Sequence, residues 1–430
     1  MLLRKIKGVH LDGRKDMSTQ EPIEPYLNPE FIYIPLLAQA TVCKALVQVG
    51  DKVLMGQPVA RRDDRFAHNL HSSVSGEVTG IKKMWHSSGK MIEMLEIKND
   101  FQEKLDPSIR LNNDLGELTQ AKIVERVKNA GVVGLGGSGF PTYAKLTPTV
   151  PINVVLINAA ECEPYLTADY MLIKSETDCL MRGLTYTMKA VSAEKGIIAI
   201  KKTKPAAIAA INQVLANYPG ISIHQLEDEY PAGWEKYIVE KVLNKTYERL
   251  PSEAGAIVNN VATAIAICDA VEQNMPLIHK VVTITGEGVN RPHNLLVKVG
   301  TKVNELIEKA GGYRDPEADM YFIAGGPMTG TSLIFDEVIV NNSLGSIIVK
   351  ERKEILVNPA CVGCGQCSDV CPVFLNPIEI KTTFEAKNVE YLIELNATKC
   401  ISCGLCSYIC PSRIELTDAT TRAKALAMKG

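Results

Sequence analysis

The chain has 430 residues, 46% hydrophobic and 22% charged, with a formal net charge of −2. That length exceeds what one ordinary core can organise, so several domains are expected, and the composition is that of a soluble globular protein. The near-neutral balance excludes a nucleic-acid footprint, and the longest apolar run, Ala254 to Ala270, is broken by Asn259, Asn260 and Asp269, so nothing reads as spanning a bilayer.

Residues 1–28 are polar and proline-bearing and read as an arm rather than a core. The start, Met1-Leu-Leu-Arg-Lys5, lacks the apolar centre of a signal peptide. From 29 to 100 short strands alternate with glycine turns: Val47–Val53 around Gly50-Asp51, then Ser73–Ile81, then Met91–Ile97. This all-β pattern resembles the barrel-sandwich hybrid of biotinyl and lipoyl carriers. No lysine flanked by methionines or acids stands at the hairpin tip, so a structural role is favoured over a carrier role. His68, His71 and His86 could ligate a metal, but surface or satisfied histidines are the more economical reading.

Residues 101–277 read as a layered α/β domain. Leu118–Ala130 carries apolar residues at helical spacing and leads into Gly134-Leu-Gly136-Gly137-Ser-Gly139-Phe140-Pro-Thr142. The run contains G-x-G-x-x-G, yet a helix rather than a strand precedes it, which does not fit a dinucleotide fingerprint. Four glycines in six residues still expose bare N–H groups to a phosphate or flat ring; a plain flexible turn is the alternative. The apolar strand Ile152–Asn158 then runs into Ala159-Ala160-Glu161-Cys162-Glu163. Two acids at a strand's carboxyl end lie where open α/β sheets bind ligands, although solvated loop acids would look the same. A helix with Met171, Leu172 and Ile173, a strand Lys195–Ile200 and a helix Pro205–Leu215 complete a parallel layered pattern. Trp234–Leu243 and Ala254–Val271 read as helices. Residues 278–345, with strands at Val281–Thr285, Leu295–Val299 and Tyr321–Ala324 and a helix at Val303–Ala310, suggest a β-grasp module of the soluble-ligand-binding type.

Residues 346–430 read as an α-helical ferredoxin domain. Cys361, Cys364, Cys367 and Cys371 stand in the spacing C-x2-C-x2-C-x3-C-P, which Cys400, Cys403, Cys406 and Cys410 repeat. This spacing holds two cubane 4Fe–4S clusters, the fourth cysteine of each run ligating the other cluster. The expected sets are Cys361, Cys364, Cys367 with Cys410, and Cys400, Cys403, Cys406 with Cys371. Gly363, Gly365 and Gly404 let backbone approach the sulfides. Structural zinc also uses C-x2-C pairs, but neither the third cysteine nor the Cys-Pro would serve it. Cys43, Cys162, Cys179 and Cys268 are scattered and read as buried thiols. Thiolate-ligated clusters need a reducing compartment, the cytosol. The helix after Leu416 reads as a solvated Lys/Arg face.

Together these motifs resemble the RnfC family, the NADH-side peripheral subunit of a ferredoxin:NAD oxidoreductase, whose flavin core is similar to the FMN-binding subunit of respiratory complex I. The match covers about Phe31 to Arg413 and is most specific at Gly134–Leu146, Asn158–Asp169, Tyr230–Lys236, Gly255–Thr263 and the cysteine runs. The resemblance implies that Gly134, Gly136, Gly137 and Gly139 hold the FMN phosphate and face the ring. Lys145 would reach flavin or phosphate, and Phe140 would lie at the nucleotide side. Asn158, Glu161 and Glu163 would line flavin and nicotinamide, while Asn259, Asn260 and Thr263 grip from the far side. Ala160 departs from the aspartate of the complex I motif, and Gly8-Val-His-Leu-Asp-Gly-Arg14 departs from the usual start of the family.

The implied cofactors are FMN, NAD(H) and two 4Fe–4S clusters, and the implied activity is NADH dehydrogenation by hydride transfer at FMN, without a protein acid or base. Three readings remain open: a subunit of a membrane Rnf-type complex with ferredoxin and membrane subunits as partners, a soluble protein feeding a reductase such as proline reductase, and a flavin-less cluster relay. The first places the protein in the cytoplasm or peripherally on the cytoplasmic face of the inner membrane, held by partner subunits.

Overall fold

The computed structural model describes residues 6–352 and 360–429; the reading of Met1–Lys5 lies outside them. The N-terminal β domain is built from a two-stranded ladder, Leu37–Ala38 with Thr41–Val42, and two larger antiparallel sheets. One orders Phe31–Pro35, Met91–Asn99, Gly76–Trp85 and Lys52–Val53; the other orders Lys44–Ala45, Pro58–Arg62 and His68–His71. Alternate residues such as Ile32, Ile34, Val78, Leu95 and Ile97 close on one core.

The α/β domain carries a four-stranded, all-parallel sheet in the order Ile221–Leu226, Lys195–Lys201, Val154–Ala159, Ala256–Asn260. The chain builds outward on one side of Val154–Ala159 and then returns to its other side. The sheet therefore has a topological switch between Val154–Ala159 and Ala256–Asn260, where a crevice opens beyond the carboxyl ends. The helices Thr177–Val191 and Val261–Gln273 lie on one face. They pack so closely that a Cβ on Gly183 would fall 1.8 Å from the Ala264 carbonyl oxygen. The reading of Ala254–Val271 as a single helix is corrected: Ala256–Asn260 is a strand, and the helix begins only at Val261. A five-residue apolar run fits either element, and Asn260, whose side chain accepts from the Ala262 N–H, is the cap that divides them.

The third sheet has six strands in the order Glu24–Tyr26, His293–Lys298, His279–Thr285, Ser346–Glu351, Met320–Ala324, Thr331–Leu333, with the helix Val303–Lys309 against it. Two boundaries move as a result. Ser346–Glu351 is an interior strand, so this domain continues past 345. The arm is not merely an arm, because Glu24–Tyr26 adds a parallel edge strand and Leu11 and Ser18 are buried. Its apolar residues are isolated along the sequence and become buried only against distant segments, so no periodicity announced them.

In the cysteine-rich domain the helices Pro377–Glu385, Val389–Glu394 and Leu416–Ala427 share a small core of Ile380, Leu392 and Ala423. The terminal helix is thus half-buried rather than a solvated face, and Lys424 donates to the Cys400 carbonyl at 2.7 Å. Among the described residues no helix is long and apolar enough to cross a membrane.

Candidate functional site

A cavity of about 600 Å³ occupies the switch-point crevice, and all four domains line it. The α/β domain contributes Gly136 and Gly137, Asn158 and Glu161 from one strand end, and Asn260 from the other. The β domain contributes the hairpin tip His86–Ser88, the β-grasp domain Lys280 and the Gly325–Gly326 loop, and the cysteine-rich domain Ile401 and Cys403.

The glycine loop is shaped for close approach. Thr263 Oγ1 accepts from the Leu135 N–H at 2.9 Å, fixing the loop's start to the helix Val261–Gln273. A Cβ on Gly136 would lie 3.2 Å from the Asn260 side chain, whereas Gly137, at φ +101°, has nothing within 4 Å of the position a Cβ would take. Among the described residues no acceptor pairs with the N–H groups of Gly136 and Gly137. Two free donors beside a helix N-terminus suit a phosphate, and the bare Gly137 face suits a flat ring.

The acids are held rather than solvated. Lys15, from the arm, is buried behind Glu161 and donates to the carbonyls of Glu161 (2.8 Å), Glu163 (2.7 Å) and Leu166 (2.5 Å). It also pairs with the Glu161 carboxylate at 3.6 Å, and burial lowers its pKa to about 8. Glu161 accepts from the Asp169 N–H at 2.8 Å and is itself at φ +37°, a backbone conformation this net of bonds enforces. Asp169 accepts from Asn260 Nδ2 at 2.5 Å; burial, followed by the Glu161 charge, raises its pKa to about 7. Lys280, buried across the cavity, donates to the Asn342 carbonyl at 2.7 Å, and burial lowers its pKa to about 7. Glu163 turns away from the α/β domain: its carboxylate accepts from the Met328 N–H at 3.0 Å and the Thr329 hydroxyl at 2.5 Å, and burial raises its pKa.

The structure therefore brings Gly136, Gly137, Asn158, Glu161, Glu163 and Asn260 to one cavity. Asn158 spans its floor, donating to the Gly233 carbonyl at 2.9 Å. Gly134 and Gly139 close the loop through backbone bonds to each other and to Phe140, and Phe140 packs edge-on against Phe66 at 5.0 Å. Asn259 is buried, and its Nδ2 has no hydrogen-bond partner among the described residues. Lys145 is not on the cavity wall: its Nζ donates to the Val258 carbonyl (2.9 Å) and Glu235 (3.1 Å). His68 and His71 are buried and His86 bonds Asn341, so these histidines are satisfied within the fold. Sequence reading did not single out Lys15, Asp169 or Lys280; Asp169, three residues after Leu166 at the start of a helix, was the one with a local signal.

The two cysteine runs have the same backbone. Gly365 (φ +75°) and Gly404 (φ +81°) each precede a short helix, Gln366–Asp369 and Leu405–Tyr408. Their surroundings differ. Cys361 and Cys364 are exposed. Cys403 lines the cavity, and burial, reinforced by the charges of Cys406, Cys371 and Cys400, pushes its thiol up to about 12. Cys371 of the first run and Cys400 of the second pack against the same small core. Among the described residues no three His, Cys, Asp or Glu side chains are grouped as a single ion would require; a cubane holds its thiolates further apart, one on each iron.

Family models match the chain in four blocks: the RnfC barrel sandwich hybrid domain over 3–102, the Nuo51 FMN-binding domain over 127–269, the SLBB domain over 281–332 and the 4Fe-4S dicluster domain over 360–414. The chain is 33% identical over 380 residues to the C component of the Na+-translocating ferredoxin:NAD+ oxidoreductase complex of Acetobacterium woodii, covering 87% of this chain and 85% of that one. To the C component of the proton-translocating ferredoxin:NAD+ oxidoreductase complex of Clostridium ljungdahlii it is 33% identical over 377 residues, covering 86% and 82%. The structure of an air-oxidised NAD+-reducing NiFe hydrogenase shares the fold at a TM-score of 0.51 and 18% identity, over 71% of this chain and 63% of that one.

Proposed function

The chain belongs to the RnfC family of ferredoxin:NAD+ oxidoreductase components, and from that membership we propose how its residues divide the work. It is an electron-transfer flavo-iron-sulfur subunit with FMN and 4Fe–4S clusters. FMN, when bound, takes the two electrons of a hydride from NADH and passes them on singly, which is what joins a two-electron donor to one-electron cubanes.

The chain's own residues supply the rest. The free N–H groups of Gly136 and Gly137 and the N-terminus of Val261–Gln273 would hold the phosphate, and Asn158 and Asn260 would border the ring. Glu161 is kept in place by Lys15 and by the Asp169 N–H, so its carboxylate is positioned before any ligand arrives. Walls from four domains limit the access of water, which would strengthen each of these dipoles. Cys400, Cys403, Cys406 and Cys371 would hold the inner cluster, and Cys361, Cys364, Cys367 and Cys410 the outer one. The observation that carries this reading is that Cys403 and the glycine loop line the same cavity. With both clusters bound, Cys403 would set the inner one against the cavity, and the exposed Cys361 and Cys364 would set the outer one where a protein partner can accept or deliver single electrons. That partner is a ferredoxin or a subunit of a membrane-bound complex, on which the protein sits peripherally.

Anaerobic quantification of iron, sulfide and flavin, followed by NADH titration, tests the reading. About eight irons and one FMN per chain are expected for two cubanes and one flavin, with NADH bleaching the flavin band. Clusters without flavin, or flavin indifferent to NADH, would remove it. Co-purification with membranes, or its absence, decides between a membrane complex and a soluble acceptor.

A further inference from the structure

Two separate connections join the cavity to the Cys400–Cys406 loop. Tyr230 is 2% exposed and sits among Leu11, Leu405, Met328 and Cys162. Its hydroxyl donates to the carbonyl of Cys403 at 2.7 Å. Its backbone is pinned by the arm, with N–H···O bonds in both directions to Val9 at 2.9 and 2.8 Å. The second connection begins at Glu163, which grips Met328 N–H and Thr329 as described. Gly326 lies directly beneath, where a Cβ would fall 2.2 Å from the Glu163 carboxylate. On the other side of this loop the Met328 carbonyl oxygen would be 2.6 Å from a Cβ on Gly404, the residue after Cys403. Both connections therefore end on adjacent residues of one cysteine run.

We propose that Tyr230 and Glu163 are positioning residues that clamp the Cys400–Cys406 loop against the cavity and so fix the separation between the flavin and the inner cluster. The inference rests on the functional reading above and reassigns Glu163 from nicotinamide contact to interdomain strut. One electron at a time leaves the reduced flavin for the inner cluster, and each NADH supplies two. The clamp changes neither count, only the distance crossed. Electron transfer between buried centres falls steeply with separation, so a loop free to drift away from the cavity slows it.

Stopped-flow mixing of the full-length, cluster-loaded protein with NADH resolves flavin bleaching from cluster reduction. In Tyr230→Phe the cluster phase should slow about tenfold relative to the flavin phase, as expected for loss of one buried hydrogen bond that holds geometry, with iron and FMN contents as in the parent. Glu163→Ala should act in the same direction and raise hydrogen exchange in 326–331 and 400–406. Glu163→Gln, whose amide oxygen still accepts from Met328 N–H, should restore both. An unchanged ratio of phases in Tyr230→Phe and Glu163→Ala overturns the clamp, as does loss of FMN with the clusters intact, which would place these residues in the cofactor cradle. If the parent protein holds no NADH-reducible flavin, the functional reading fails instead, and the exchange comparison of Glu163→Ala with Glu163→Gln still decides the clamp.

Discussion

The two cysteine runs share spacing, glycines and turn geometry, yet one reaches the cavity and the other presents two of its cysteines to water. Among the described residues nothing lies within 4 Å of a Cβ position on Gly365, whereas Gly404 abuts the Met328 carbonyl. Cys361 and Cys364 are exposed, whereas Cys403 is partly buried and accepts a hydrogen bond at its carbonyl. Ligation chemistry is therefore the same at both ends, and direction comes from what each run packs against. Nothing in a cysteine motif encodes inner or outer; the neighbours do.

The largest expected effect tests which cysteines belong to which end. Because the fourth cysteine of each run would ligate the other run's cluster and Cys371 packs with Cys400 against one core, Cys371→Ser should remove the inner cluster and Cys410→Ser the outer one. Each should lower iron from about eight to about four per chain. Cys410→Ser should still allow NADH to reduce the remaining cluster, and Cys371→Ser should not. The opposite pairing of phenotypes would exchange the two sets.

Next in size is a comparison of the two glycines. Both occupy left-handed backbone, so Gly365→Ala and Gly404→Ala each cost about 1 kcal/mol from φ alone. Gly404→Ala must in addition displace the Met328 carbonyl, adding roughly 1–3 kcal/mol. Urea unfolding should show the larger loss for Gly404→Ala. Equal losses would mean that the interior contact yields easily.

Much of this was legible in the residues alone. Cysteine spacing marks the two runs directly, and the apolar strand before Glu161 marked the end of a parallel sheet where the cavity opens. What the sequence hid was contact made at long range. Lys15 bonds three carbonyls roughly 150 residues away, and a lysine in a polar arm carries no trace of that. The strand Ala256–Asn260 was absorbed into the helix that follows because a short apolar run has no decisive period. Glu163 and Glu161, two residues apart, looked equivalent, and only the fold sends one to the β-grasp loop and the other to Asp169.

The interior end should also show a pH signature of its own. Asp169 titrates near 7 in the fold and near 3.8 when unfolded, so between those values the folded state binds the extra proton. Stability from this group is therefore present at low pH and is lost as pH rises through about 7. Lys15 and Lys280 have depressed folded values, so their unfavourable contribution is relieved only above about 7 to 8, as the pH climbs toward their ordinary value. Asp169→Asn should flatten the slope between pH 4 and 7, changing the difference in unfolding free energy across that window by about 3 kcal/mol. An unaltered slope in urea midpoints would locate the titration elsewhere.

The weakest lever on the interior end lies on the far side of the cavity, at Lys145. If this lysine touched FMN directly, removing its charge would cost a buried, charge-assisted contact and cofactor affinity would fall on the order of a hundredfold. The structure instead ties its Nζ to the Val258 carbonyl, two residues before Asn260, and to Glu235, whose side chain is 40% exposed. The pair with Glu235 is screened by solvent and contributes little; the bond to Val258 steadies the strand end that presents Asn260. Lys145→Met should therefore weaken FMN binding only about threefold to tenfold, the effect of losing one hydrogen bond, and Glu235→Gln should leave it unchanged. Fluorescence titration of the flavin-stripped protein measures both. A hundredfold loss in Lys145→Met would show that the lysine leaves Val258 for the cofactor on binding, so that a residue behind the cavity is as decisive as the wall that carries Cys403.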